Sequence, residues 1–320
     1  MTHLSAEHQA YAKGLPLPRA GRLAGLVLLA AFAASGCSIQ RYAVNAMGDA
    51  LAGSNTVYAS DDDIELIGEA TPFGLKTIES LLAKSPEHRG LLLAAASGFA
   101  QYAYVYVQCP ADELEAHDVA AAYAQRARAR HLYLRARDYD LRGLRLSDGK
   151  AAQQLRGDPS GALTGTTRAD VPLLYWTAVA WGAAISLGKD DPALIADLPI
   201  VDALVARAAV LDVDFDHGSL HSFLITWEMG RPGAGDAAAA EARQHLQRAI
   251  ELSGGAMAAP YVAYAESVAV AQQDLTEYQA LLQQALAIDP AVHPEWRLAN
   301  LVMQRRARWL LNRSDELFLE

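Results

Sequence analysis

The chain has 320 residues and a formal charge of −10, a balance that excludes a nucleic-acid binder, since such a protein needs a cationic face for phosphate. Hydrophobic residues make up 52% of it, far too many for a disordered chain, and the heavy use of Ala points to packed helices. With only Cys37 and Cys109, no disulfide framework is expected to hold the fold together.

Residues 1–36 are predicted to be a cleaved secretory signal: Lys13, Arg19 and Arg22 precede the apolar run 23–34, and small residues follow. That run is shorter than the roughly 18 apolar residues of a membrane span. Ala34-Ser35-Gly36-Cys37 resembles the bacterial lipobox, which makes Cys37 a lipid anchor to the membrane; each buried methylene of the acyl chains adds about 0.8 kcal/mol. Ser38 after the cysteine favours the outer membrane, so the expected location is the periplasmic side of that membrane. Losing the signal removes three cations and one anion (Glu7), which takes the charge from −10 to −12. Cys109 is then left without a partner in the chain. Residues 37–60 are expected to be the lipidated N-terminus, a tether and a first helix, and 61–320 a single all-α domain.

Along that domain the apolar spacing is helical. The run 91–107, with Tyr102, Tyr104 and Tyr106, is apolar on every side, short for a membrane span, and expected as a central core helix. Cys109 beside Pro110 reads as a helix end. A stop is expected at Ser85-Pro86, and 157–171 reads as a long connection between two helical halves. The segment 173–187 is again apolar all round, ends before Gly188, and carries Tyr175, Trp176 and Trp181. These three are candidate ligand contacts, because aromatic rings offer stacking with a polar tip; core packing is the plainer role. Asp216-His217-Gly218 reads as a helix start. If the segment is helical from His217, then His217, His221, Leu224 and Glu228 lie within about 60° of one another and could supply two imidazoles and a carboxylate to zinc; the zinc-protease pattern would need Glu where Gly218 stands and no further ligand is near, so no metal is expected. Ala242, Leu246, Ala249 and Ile250 mark a helix over 241–252, stopped by Ser253-Gly254-Gly255, and 275–288 repeats the pattern before Asp289-Pro290.

The helix ends at 208–212, 249–253 and 285–289 align with offsets of about 36 and 41, close to a tetratricopeptide period, and each follows an apolar partner helix. A degenerate array of stacked helical hairpins is therefore expected, with an inner surface or cavity for a ligand or partner. On the last helix Leu298, Leu301, Val302 and Trp309 form a stripe with Arg305 in its middle. A guanidinium among apolar side chains needs a carboxylate, either Glu266 or Glu228 of a neighbouring helix or that of a ligand. Arg297, Arg306, Arg308 and Arg313 are expected at the surface. No nucleophile elbow, phosphate loop or dinucleotide fingerprint is present, so neither enzyme activity nor a cofactor is expected.

SGGAMAAPYVAYAESVAVAQQD (253–274), the ALAIDP after it, and RLANLVMQRRARWLLNRSDELF (297–318) resemble the C-terminal region of the TatT family, the lipoprotein T component associated with TRAP transporters. PLLYWTAVAWGAAISLGKD (172–190) and GSLHSFLITWEM (218–229) are similar to its central helices. The resemblance implies cryptic tetratricopeptide-like hairpins with a cavity or pore, and a non-enzymatic role. It also implies association with a TRAP-type periplasmic substrate-binding protein that handles small organic acids or hydrophobic ligands, and a homo-oligomer, a trimer by the family. The competing reading is a protein-interaction scaffold of envelope assembly without a small ligand; an open, polar groove would favour it.

Overall fold

A computed structural model describes residues 45–50, 53, 55–147, 149 and 154–319; the expected signal and the anchor at Cys37 lie outside them. Among the described residues there is helix and no strand. Ten longer helices follow one another: α1 Ile64–Leu82, α2 Arg89–Leu114, α3 Val119–Ser147, α4 Val171–Ser186 and α5 Leu198–Asp212, then α6 Phe215–Gly230, α7 Asp236–Ser253, α8 (259–269), α9 Leu275–Ala287 and α10 Arg297–Leu311. Each packs on its successor, and α10 returns to α1 and to the short helix Asn55–Ala59 ahead of it. The expected long connection holds a short helix at Pro159–Ala162 and a 3₁₀ turn at Arg168–Asp170.

Local chemistry sets these boundaries. Asp63 caps α1 by accepting from the Leu66 amide at 2.9 Å, and Asp274 caps α9 by accepting from Glu277 at 2.8 Å, each meeting a donor that the first helical turn leaves free. At the end of α7 Gly254 takes φ +60°, a left-handed stop natural to glycine.

The core is a chain of overlapping clusters. Helices α1 to α4 share the first, through Leu75, Leu91, Phe99, Tyr133 and Ala180. The second holds Leu173, Trp181, Leu204 and Leu220 of α4 to α6, and the third Ile225, Tyr264, Tyr278 and Leu310 of α6 to α10. By length and composition α2 could cross a membrane, which corrects the expectation that it is too short. It lies between α1 and α3 with Leu91, Leu92 and Ala95 fully buried, as befits a helix apolar on every side.

Two helices contain a π turn, Tyr104–Gln108 within α2 and Ala265–Ala269 within α8. The first explains why α2 does not end at Cys109. Pro110 has no N–H and would crowd the carbonyl of Tyr106 in a regular α-helix; the wider turn just before it absorbs the mismatch.

Candidate functional site

The two π turns meet at α10, around Arg306. The inward stripe of α10 is Asn300, Gln304, Ala307 and Leu310, and half of it is polar. Asn300 accepts from the Ala258 amide at 2.8 Å and donates to the Ala256 carbonyl at 2.9 Å. Gln304 donates to the carbonyls of Ala285 at 3.1 Å and Ile288 at 2.7 Å. These amides thus satisfy backbone groups at the start of α8 and the end of α9, which would otherwise be buried without partners.

That geometry corrects the partner expected for Arg305. Its side chain is 52% exposed and pairs with Glu65 of α1 at 2.9 Å, not with Glu266 or Glu228. One residue on, about 100° around the helix, Arg306 is 7% exposed and corrects the expectation that it is a surface residue. Its Nη2 bonds Glu266 in the second π turn and Asp112, at 3.0 Å, just past the first. Trp309 lies under the guanidinium with its ring centre 4.1 Å away, a contact that adds cation–π attraction. Arg126 holds the same Asp112 at 3.1 and 2.9 Å and also pairs with Glu115 at 2.8 Å. Among the described residues the buried Nη1 of Arg306 has no partner.

Neutral groups surround the ions. Burial pushes the Tyr104 phenol well above its usual range and the Cys109 thiol up to about 12, despite the attraction of Arg306, so Cys109 is a thiol and not a nucleophile at neutral pH. Tyr133 donates to Gln108 at 2.7 Å. A pocket of about 20 Å³, room for one water, lies beside this cluster. It is lined by Ile64, Val105, Cys109, Pro110, Glu113, Val302, Arg305 and Arg306, so the two consecutive arginines share it, one exposed and one buried.

The other sequence candidates sit on α4 and α6 and do not line this pocket. Trp181 is buried beneath the Arg137 guanidinium, 4.8 Å from its ring centre, with its indole N–H unpartnered. Half-buried Tyr175 packs on Trp176 and Phe215 at 5.1 and 5.3 Å. Glu228 pairs with Arg231 at 3.2 Å. His221 is buried with its Nδ1 2.9 Å from Nδ1 of His245, and its Nε2 has no partner; burial lowers the pKa of both rings. His217 does not join them. Asp216, His217 and Gly218 have φ of 49°, 54° and 96°, and this left-handed turn carries His217 against Trp296 instead.

Two further features had no signal in the sequence. Asp140 of α3 is fully buried and, among the described residues, neither carboxyl oxygen has a partner, so burial raises its pKa well above the carboxylate range. An open groove of about 360 Å³ runs beside α7 and α8, lined by Asp236, Arg243, Gln244, Gln247, Tyr264 and Gln272 among others.

Comparison with known proteins adds the context. The profile of a family described as TRAP transporter T-component matches residues 60–318. A protein of Treponema pallidum (strain Nichols) described as uncharacterized is 29% identical over 307 residues, covering 89% of this chain and 94% of its own length.

Proposed function

The chain belongs to the TRAP transporter T-component family, and from that membership we propose that it works as a lipid-anchored accessory of a TRAP-type system on the periplasmic side of the outer membrane. The match across residues 60–318 is the observation that carries the reading. In it, Cys37 bears the lipid, and the helices form degenerate tetratricopeptide-like hairpins that assemble as a homo-oligomer. The protein holds a TRAP-type substrate-binding protein near the membrane and takes a small organic acid or hydrophobic ligand. Arg306 supplies the buried cation for that ligand and Arg305 the rim of its pocket. Tyr175, Trp176, Trp181, Glu228 and His221 would serve a separate apolar path between α4 and α6.

Uptake measurements test this. A strain lacking the protein, with its transporter intact, should lose uptake of one organic acid; the wild-type gene restores it and Cys37→Ala does not. Unchanged uptake of every organic acid carried by the cell's TRAP systems contradicts the proposal. The open groove beside α7 and α8 supports the scaffold as a second reading, since amide and charged side chains interleaved with apolar surface suit an extended peptide. That reading expects peptide partners and no change in uptake.

A further inference from the structure

The bonds of Arg306 are unevenly spread. Nη2 takes both carboxylates, Nε reaches Glu266 at 3.4 Å, and Nη1 is buried with nothing to bond. The two carboxylates also differ in how firmly they are held. Asp112 is 15% exposed and keeps Arg126 as a second partner, whereas Glu266 is 35% exposed and, among the described residues, bonds Arg306 alone. Glu266 can therefore leave for water while Asp112 stays. It also stands in a π turn, and a return of that turn to α-helical register would rotate its side chain by about 100°, away from the guanidinium.

We propose that Glu266 is a placeholder, its carboxylate occupying on Arg306 the position that the carboxylate of a small monocarboxylic acid takes when Glu266 swings out. The exchange is charge for charge, so the buried guanidinium stays compensated throughout. A free carboxylate, untethered to the α8 backbone, can settle on Nη2 and the idle Nη1 with the two parallel bonds that a planar fork offers. Val105 and Val302 in the adjoining pocket suit an alkyl body. The pocket holds only one water as it stands, so the acid enters as Glu266 departs. This inference rests on the organic-acid part of the function proposed above.

The test is titration calorimetry of the full chain in detergent with sodium hexanoate, with hexanol and sodium chloride as controls. Glu266→Gln removes the competing charge and should bind hexanoate roughly tenfold more tightly than the wild type, the scale of one charge-assisted hydrogen bond. Arg306→Lys keeps the charge without the fork and should bind at least roughly tenfold more weakly than Glu266→Gln, and Arg306→Met should not bind. If Arg306→Met fails to fold, the Lys variant decides. Hexanoate affinity that is equal in wild type and Glu266→Gln, or undetectable in both, overturns the placeholder. If the chain meanwhile captures a TRAP binding protein, the transport reading survives that failure. Hexanoate binding without any such partner leaves the placeholder and removes the transport role.

Discussion

Arg305 and Arg306 differ by one position and by most of their energetics. Arg306→Met strips a buried pair and leaves Asp112 and Glu266 short of a cation, so it should cost about 3 kcal/mol. Asp112 still has Arg126 and Glu266 can reach water, which keeps the loss at the lower end for such pairs. Arg305→Met breaks an exposed pair with Glu65 and should stay within about 0.5 kcal/mol. Urea unfolding of the two variants measures this, and a larger loss for Arg305→Met contradicts the geometry. The need for a buried arginine on the last helix was legible in the sequence, with Glu266 one of the two carboxylates expected for it; which arginine was not. The apolar stripe through Leu298 and Trp309 invited the wrong rotation, because the true inward face carries Asn300 and Gln304, polar side chains buried for the backbone groups they satisfy.

Asp140 gives a second prediction at this scale. Below the unfolded value near 4, the acid is neutral in both states. Above it only the unfolded chain ionises, because burial raises the folded pKa, so the contribution of Asp140 to stability is lost as pH climbs toward that value. Asp140→Asn cannot ionise. Its melting temperature relative to the wild type should therefore rise as the pH climbs above about 4; a difference that stays constant while the unfolded-state carboxyl ionises contradicts a protonated Asp140. Nothing in the local sequence marks this residue, since either of the two aspartates in a 29-residue charged helix reads as solvated.

Among elements, the helices with a clear apolar period were the legible ones. The predicted 241–252 and 275–288 correspond to Asp236–Ser253 and Leu275–Ala287, each ended by the turn residues that announced it. The π turns were not legible. Each lengthens a helix by one residue without altering its composition, so only the proline in α2 hinted at one. The left-handed turn at the start of α6 is the element whose cost can be measured most cleanly. Gly218 has φ +96°, and a Cβ there would lie 2.9 Å from Cα of Ala249, so Gly218→Ala should destabilise by about 1–3 kcal/mol through strain and a clash with α7 backbone. His217→Gly at φ 54° should lose none of that and gain a few tenths of a kcal/mol, roughly, from relieved strain. Thermal melts of both variants check it, and a Gly218→Ala protein as stable as the wild type would refute the turn.

At the scale of the molecule, the last helix closes on the first. Arg305 reaches Glu65, Arg297 donates to the Ser60 carbonyl at 3.1 Å, and Arg306 ties α8 and the end of α2 to α10. The all-α class was readable from periodicity and turn residues. This closure was not, because it depends on pairs some 240 residues apart, which no local pattern encodes. Closure also places the Arg306 cluster where α2, α8 and α10 meet. The measurement that bears most directly on the transport role is affinity capture of the tagged full chain from cells cross-linked in the envelope, with the bound proteins identified by mass spectrometry. A TRAP-type substrate-binding protein is expected as the stoichiometric partner, lost when Cys37→Ala releases the chain from its membrane. Recovery of the chain alone, or with envelope-assembly proteins in place of that partner, would contradict the transport role.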